Sequence, residues 1–360
     1  EIDEDIFILD AGLMFPENEL LGIDIVIPDF KYLEENKDRV KAVFLTHGHE
    51  DAIGALPYLL QKIKAPVYGT ELTIALAKSA LKEHRKLRFK NFHVVNEETT
   101  LSFSKIDVSF FRTTHTIPDS VGIVLETSEG SIVYTGDFKF DQSAKDGYAS
   151  DLSHIAEFGE KGVLALLSDS SEAEHPGTTS SDSLIEEEIR HAFRMADGRI
   201  IVACVASNLI RLQQVLDASV ATKRKVAIVG KELERVFEED LIVPLKELKK
   251  YSDDEITIIE TGNLGEPIQS LQLMTKGNHP QFNIKPGDTV YITTTPSPSL
   301  ETMMAKTMDM LYKAGAKVLT MSNNLFISGH ASQEDLKLMI NLLKPRYFVP
   351  VHGEYRMLIS

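Results

Sequence analysis

The chain has 360 residues, of which 43% are hydrophobic and 26% charged, an ordinary mix for a globular protein. Its formal net charge of −16 excludes a uniformly basic nucleic-acid surface, although a field is local and bound divalent cations would offset acidic residues in a cleft. No apolar run approaches the roughly 20 residues that span a bilayer. No membrane partner is therefore expected, and with a single cysteine, Cys204, in an apolar run, a cytoplasmic location is.

In chain order, Ile6–Leu9 reads as a strand that ends at Asp10, a carboxylate that serves either as a turn cap or as a site residue. Val40–Leu45 reads as a buried strand, and an apolar helix-like segment, Ile53–Leu60, follows it. Between them stands Thr46-His47-Gly48-His49-Glu50-Asp51-Ala52. Imidazoles at 47 and 49 and a carboxylate at 51, on a strand-to-helix loop, can converge on a metal ion. Gly48 is expected to let the loop turn tightly without blocking that ion. Strands follow at Pro66–Gly69 and Phe92–Val95. The basic stretches Lys82–Lys90 and Lys223–Lys225 read either as solvated faces or as local positive patches.

From Ile106 to Tyr134 the pattern becomes alternating strands, Val108–Arg112, Gly122–Glu126 and Ser131–Tyr134, with a hairpin turn at Glu129-Gly130. His115, on a polar loop, and Asp137 follow two of these strands, where both can act as ligands and the carboxylate can bridge two ions. Val163–Leu167 is a further buried strand, closed by Ser168-Asp169-Ser170. A Ser/Thr-rich linker, Gly177–Ser183, is expected to cap a helix at Ser183. A second α/β pattern then runs from Ile185 to Asn323. Its strands are Arg199–Val205, Lys225–Gly230 and Thr289–Thr294, and its helices Ile210–Ser219 and Glu301–Ala314. Ser328-Gly329-His330 precedes a helix, Gln333–Leu343, whose N-terminus is expected to form an anion pocket. A last strand, Arg346–Val351, ends at His352.

The expected domains are 1–183, an insertion over 184–323, and a return over 324–360. Because residue 1 stands just before a strand and residue 360 just after a site-like segment, a fragment of a longer protein is expected. It would lack about one N-terminal strand and a C-terminal portion.

The 47–52 stretch resembles the H-x-H-x-D-H motif of the metallo-β-lactamase fold, with Ala52 where that motif has its last histidine. The order Asp10, His47 to Asp51, His115, Asp137, Asp169, Ser328-Gly329-His330 and His352 is similar to that of the β-CASP nucleases. The stretches 111–140 and 347–356 resemble the J-type ribonucleases more narrowly. The resemblance covers essentially the whole chain. It implies an α/β fold, a metallo-β-lactamase αββα sandwich with an inserted β-CASP α/β domain. It also implies up to two divalent ions, zinc or manganese, that activate water for attack on an RNA phosphodiester, preferring a 5′-monophosphate on a single strand. By the same resemblance His47, His49 and His115 would hold one metal, and Asp51 and His352 the other, with Asp137 bridging. Asp10 would support these ligands by hydrogen bonding. Ser328, Gly329 and His330 would hold a substrate phosphate, and Asp51, Asp137, Asp169 and His330 would be the catalytic group.

Two positions depart from the pattern. Ala52 cannot donate a lone pair to the second metal. Phe326, where active enzymes carry a histidine near the scissile phosphate, cannot give a proton to a leaving oxygen. The expectation is a degenerate J-type paralogue, with one metal or none, weak 5′-to-3′ exonuclease and endonuclease chemistry, and a main role as subunit beside an active paralogue. The alternatives are a fully competent metal-dependent ribonuclease, which the retained Asp51, Asp137 and His352 would allow, and a non-catalytic RNA-binding scaffold. The family assembles as homo- or hetero-oligomers, and this length of chain is expected to be a monomer. A small-molecule hydrolase on the same fold would need neither the insertion nor the phosphate-type loop.

Overall fold

The computed structural model describes residues 1–15, 22–84, 87–141, 143–144, 148–230, 241–262, 266–293, 301–321 and 325–360. The chain divides into two compact units, Glu1–Thr179 with Gly329–Ser360, and Ser180–Ser328.

The first unit is built on two sheets. One holds β1 (Ile6–Leu9), β2 (Val40–Phe44), β3 (Val67–Gly69) and β4 (Phe92–Val94), in that order and all parallel. The other holds β5 (Thr100–Phe103), β6 (Ile106–Arg112), β7 (Val121–Thr127), β8 (Gly130–Tyr134) and β9 (Val163–Ser168), with the late strand Tyr347–Pro350 paired parallel on the outer side of β9. Side chains on a strand alternate between faces, and two of the unit's cores follow that period. Ala42 and Phe44 point to a core shared with Phe110, Ile123, Leu125 and Tyr134 of the second sheet, so the sheets pack face to face. Val43 and Leu45 point the other way, onto Ile53, Leu56, Leu59 and Leu60 of the helical layer. On the far side, Phe111, Val124, Val133 and Leu166 pack on Ile155 and Phe158 of helix Leu152–Lys161 and on Met339 and Leu343 of helix Gln333–Leu343. The layers therefore run αββα.

The second unit is a doubly wound sheet. Its strands are β10 (Ile200–Val205), β11 (Lys225–Val229), β12 (Ile256–Gly262), β13 (Thr289–Ile292) and β14 (Lys317–Thr320), all parallel in the order β11-β12-β10-β13-β14. Helices Asp182–Arg194 and Leu209–Ala221 cover one face. Helices Glu266–Thr275 and Glu301–Lys313 cover the other. Counting in chain order, the strand Tyr347–Pro350 is β15.

Several local expectations are corrected. The helix expected over Ile53–Leu60 is two pieces, Glu50–Ile53 and Leu56–Lys62, broken at Gly54-Ala55, with Pro57, which has no N–H to donate, near the start of the second. The helix expected to be capped by Ser183 starts two residues earlier, at Asp182, after Ser181. In the basic stretch 223–225, Arg224 is no solvated residue. It is 4% exposed, and its guanidinium donates to the carbonyls of Ala196, Gly198 and Ile256. In the stretch 82–90, Arg85 and Lys86 lie outside the described residues, as do Thr294 and Asn323. Cys204 is buried, as a small hydrophobe.

Candidate metal centre

Since β6, β8, β9 and β15 run in the same direction, their C-terminal ends lie along one edge of the second sheet. His115 follows β6, Asp137 follows β8, Asp169 follows β9 and His352 follows β15. The parallel first sheet supplies Asp10 after β1, and His47 and His49 after β2. Residues far apart in sequence thus meet at strand exits, where the backbone leaves its ladder and side chains are free to converge.

His47, His49 and His115 form one cluster, with ring centroids 4.8, 4.9 and 5.0 Å apart. Metal-type atoms of three groups lie within 4.8 Å of one another: His47 with His49 and His115, His47 with Asp51 and Asp137, and Asp137 with Asp169 and His330. Burial is graded. His47, His115 and Asp137 are 1–3% exposed, whereas the side chains of Asp51 and His352 are 50% and 33% exposed. The cluster therefore has a dry floor and an open rim. His115, expected on a polar loop, belongs to the floor.

The hydrogen bonds fix most donor directions. The Nδ1–H of His115 donates to the Gly329 carbonyl at 2.7 Å, which leaves its Nε2 with a lone pair, 3.1 Å from His49 Nδ1. Gly329 has to be glycine: a Cβ there would lie 2.6 Å from Thr116 Cγ2 and 2.7 Å from His115 Cε1. At Gly48 a Cβ would meet Leu76 Cδ1, the end of a flexible side chain, at 2.4 Å. Asp10 is not a simple turn cap. Its carboxylate accepts from the Thr46 N–H and hydroxyl, each at 2.8 Å, and from the Tyr134 hydroxyl at 3.0 Å. His352 Nδ1 contacts Asp137 Oδ1 at 2.7 Å, and His330 Nδ1 contacts Asp169 Oδ2 at 2.8 Å.

Electrostatics follow the same layout. Burial, with His49 and His47 nearby, holds His115 well below the ordinary imidazole range. Burial also opposes charge on His330, but the Asp169 carboxylate outweighs it and lifts the ring to about 10. The Asp137 contact lifts His352 to about 9. Burial would raise Asp51, yet His47, His49 and His352 hold it far below the usual carboxylate range.

The residues fit a divalent cation. Two buried atoms, His47 Nε2 and Asp137 Oδ2, lack a well-formed hydrogen bond among the described residues; they lie 3.7 Å apart, and Asp51 Oδ1 stands 3.5 Å from His47 Nε2. Leaving such groups unsatisfied costs about 1–3 kcal/mol each, and a cation facing both would remove that cost. Imidazole and carboxylate donors suit zinc or manganese.

Ala52 is buried in the apolar cluster behind the loop. Phe326 and Ser328 belong to the second unit. The anion pocket expected at the start of helix Gln333–Leu343 is not formed by its first N–H groups, because Gln333 and Glu334 donate to the carbonyls of His175 and Gly177. The partners that sequence reasoning missed are Thr46, Tyr134 and the Gly329 carbonyl. None carries a signal of its own.

Among families, one described as "Ribonuclease J, beta-CASP domain" matches residues 197–311, and the metallo-beta-lactamase superfamily matches 1–190. The "Zn-dependent metallo-hydrolase RNA specificity domain" matches 317–360. A protein named Ribonuclease J 2 from Streptococcus pyogenes serotype M3 is 51% identical over 373 residues, covering 100% of this chain and 68% of that protein. Another of that name from Staphylococcus saprophyticus is 47% identical, over 100% of this chain and 67% of its own length. A crystal structure of a protein of unknown function from Enterococcus faecalis V583 shares the fold, with a TM-score of 0.62, 16% identity, and coverage of 96% of this chain and 87% of that one. No helix among the described residues is long and apolar enough to cross a membrane. With near-half identity to such relatives along its whole length, and a His/Asp cluster at the strand exits, the chain belongs to the ribonuclease J family.

Proposed function

We propose that this chain is a metal-dependent ribonuclease of weak intrinsic activity, working mainly as a cytoplasmic subunit beside an active J-type paralogue. Its substrate is single-stranded RNA with a 5′-monophosphate, cut by 5′-to-3′ exonuclease and endonuclease chemistry. The observation that carries the reading is the pair of buried atoms that lack a well-formed hydrogen bond among the described residues, His47 Nε2 and Asp137 Oδ2, within a cluster of three imidazoles.

His47, His49 and His115 would hold one ion tightly, and Asp51 and His352, with Asp137 shared, would offer a second position that is left weak by Ala52. A bound divalent ion would supply charge stabilisation at a phosphoryl oxygen and a more acidic water. The chain's own groups do the rest. Asp169 keeps His330 protonated, so that His330 offers a cation and an N–H to a phosphate at the rim, together with Gly329 and Ser328. Weakness follows from two side chains. The Ala52 methyl brings no donor to the second ion, and Phe326 brings no proton to a leaving oxygen, where general acid help is worth about 10²–10⁴-fold.

The test is Mn²⁺-dependent decay of a 5′-monophosphorylated RNA by the full-length protein, beside Asp51→Ala. Slow decay that the substitution abolishes is expected. Decay equal to that of the variant would overturn the enzymatic reading in favour of a non-catalytic RNA-binding subunit.

A further inference from the structure

The hydrogen-bond chain behind His47 has a fixed polarity. Asp10, Thr46 and Tyr134 come from three separate segments and meet below the metal-binding loop. The Asp10 carboxylate is acceptor to three donors: the Thr46 N–H at 2.8 Å, the Thr46 hydroxyl at 2.8 Å and the Tyr134 hydroxyl at 3.0 Å. Burial pushes the Asp10 carboxyl up to about 6, so at alkaline pH it is the ionised acceptor. Thr46 has one hydroxyl proton, and the carboxylate takes it. The remaining contact of Thr46 Oγ1 is His47 Nδ1, at 2.9 Å. With its proton committed, Oγ1 can only accept there. Burial opposes charge on His47, while the Asp51 and Asp137 carboxylates, 3.5 and 3.7 Å from Nε2, favour it and raise the ring above the ordinary imidazole range. Once neutral, His47 carries its proton on Nδ1, where Thr46 accepts it, and keeps a lone pair on Nε2.

We propose that Thr46 is a positioning residue that sets the His47 tautomer, protonated at Nδ1 with a bare Nε2, and that the Asp10 carboxylate fixes Thr46 in that role. The arrangement is costly to build. Asp10 adopts φ +59, the left-handed region that non-glycine residues avoid, and from there its carboxylate reaches the exit of the neighbouring strand. Thr46 is 1% exposed and Tyr134 7%, so water does not compete for these bonds. His115 reaches the same polarity by another device, donating Nδ1–H to the Gly329 carbonyl. Two of the three imidazoles thus have their outer nitrogens occupied by acceptors, as ligands that must present a lone pair inward require.

The proposal deepens the metal-centre reading and rests on it only for its second readout. The first readout is the tautomer of His47 in metal-free, ¹⁵N-histidine-labelled protein at alkaline pH, by long-range ¹H–¹⁵N NMR. Wild type is expected to show a protonated Nδ1 and an unprotonated Nε2. Thr46→Val, which keeps the shape and removes the hydroxyl, should bring in the Nε2–H form and weaken Zn²⁺ binding about 10- to 100-fold. Thr46→Ser should restore both, and Tyr134→Phe, which leaves the Thr46–Asp10 bonds in place, should keep the wild-type tautomer. An Nε2–H form in folded wild type would overturn the proposal even if the valine variant did not fold. A zinc affinity lost in Thr46→Val without any change of tautomer would also overturn it. Failure of wild type to bind Zn²⁺ would instead overturn the metal-centre reading and leave the tautomer measurement as the test of this one.

Discussion

The His330 imidazole lies 2.8 Å from the Asp169 carboxylate, which also accepts from the Ser171 N–H and hydroxyl. The pair has a pH window. The folded-state pKa of His330 is raised to about 10, so its contribution to stability is full below the unfolded value of about 6.5 and lost as pH rises through 10. Asp169 is lowered: burial opposes this, and His330 with the Ser171 donors prevails. Its contribution is present above the unfolded value of about 3.9 and lost as pH falls through the folded one. The pair therefore stabilises most between about pH 4 and 6.5. Asp169→Asn should bring the His330 titration down towards about 6.5, followed by the ring-proton NMR signal. A titration left near 10 would mean that some other group holds the charge. At the same scale, Ala52→His combined with Phe326→His should speed RNA decay about tenfold or more by returning a ligand and a proton donor. No gain, from a wild type already fast, would favour the fully competent enzyme.

Strand β12, flanked on both sides by β11 and β10, shows where an element hides from sequence reading. Its burial is nearly continuous, yet Thr257, Glu260 and Thr261 interrupt the apolar run. Internal hydrogen bonds offset part of that burial: Ser219 donates to Thr257, and Thr261 contacts the Val229 carbonyl. Ile259→Ala should cost about 2–5 kcal/mol, read from urea unfolding. A loss below about 1 kcal/mol would show that the site collapses around the gap. A strand with an uninterrupted apolar run, such as β10, was legible within a residue or so, because hydrophobicity and β-branching agree there. Short β14, with one edge unpaired among the described residues, carries too few residues for a period to register. The site was legible in residue type, since His, Asp and Gly at strand exits announce themselves. Its supporting contacts were not. Thr46 and Tyr134 to Asp10, and His115 to Gly329, are meetings across sheets and loops that only the folded arrangement reveals.

At the scale of the molecule, each unit has its own core. The first presents a buried floor of His47, His115 and Asp137 with half-buried His49 beside it, opening to a rim of Asp51, His352 and His330. The floor set is complete in this chain, while the set assigned to a second ion has Ala52 at one position. The account therefore turns on one quantity, the number of tightly held divalent ions per chain. Elemental analysis of protein purified without chelator, beside His47→Ala, measures it directly. One ion per chain, lost in the variant, is the predicted result. None would contradict a metal-dependent enzyme, and two would contradict the impairment assigned to Ala52.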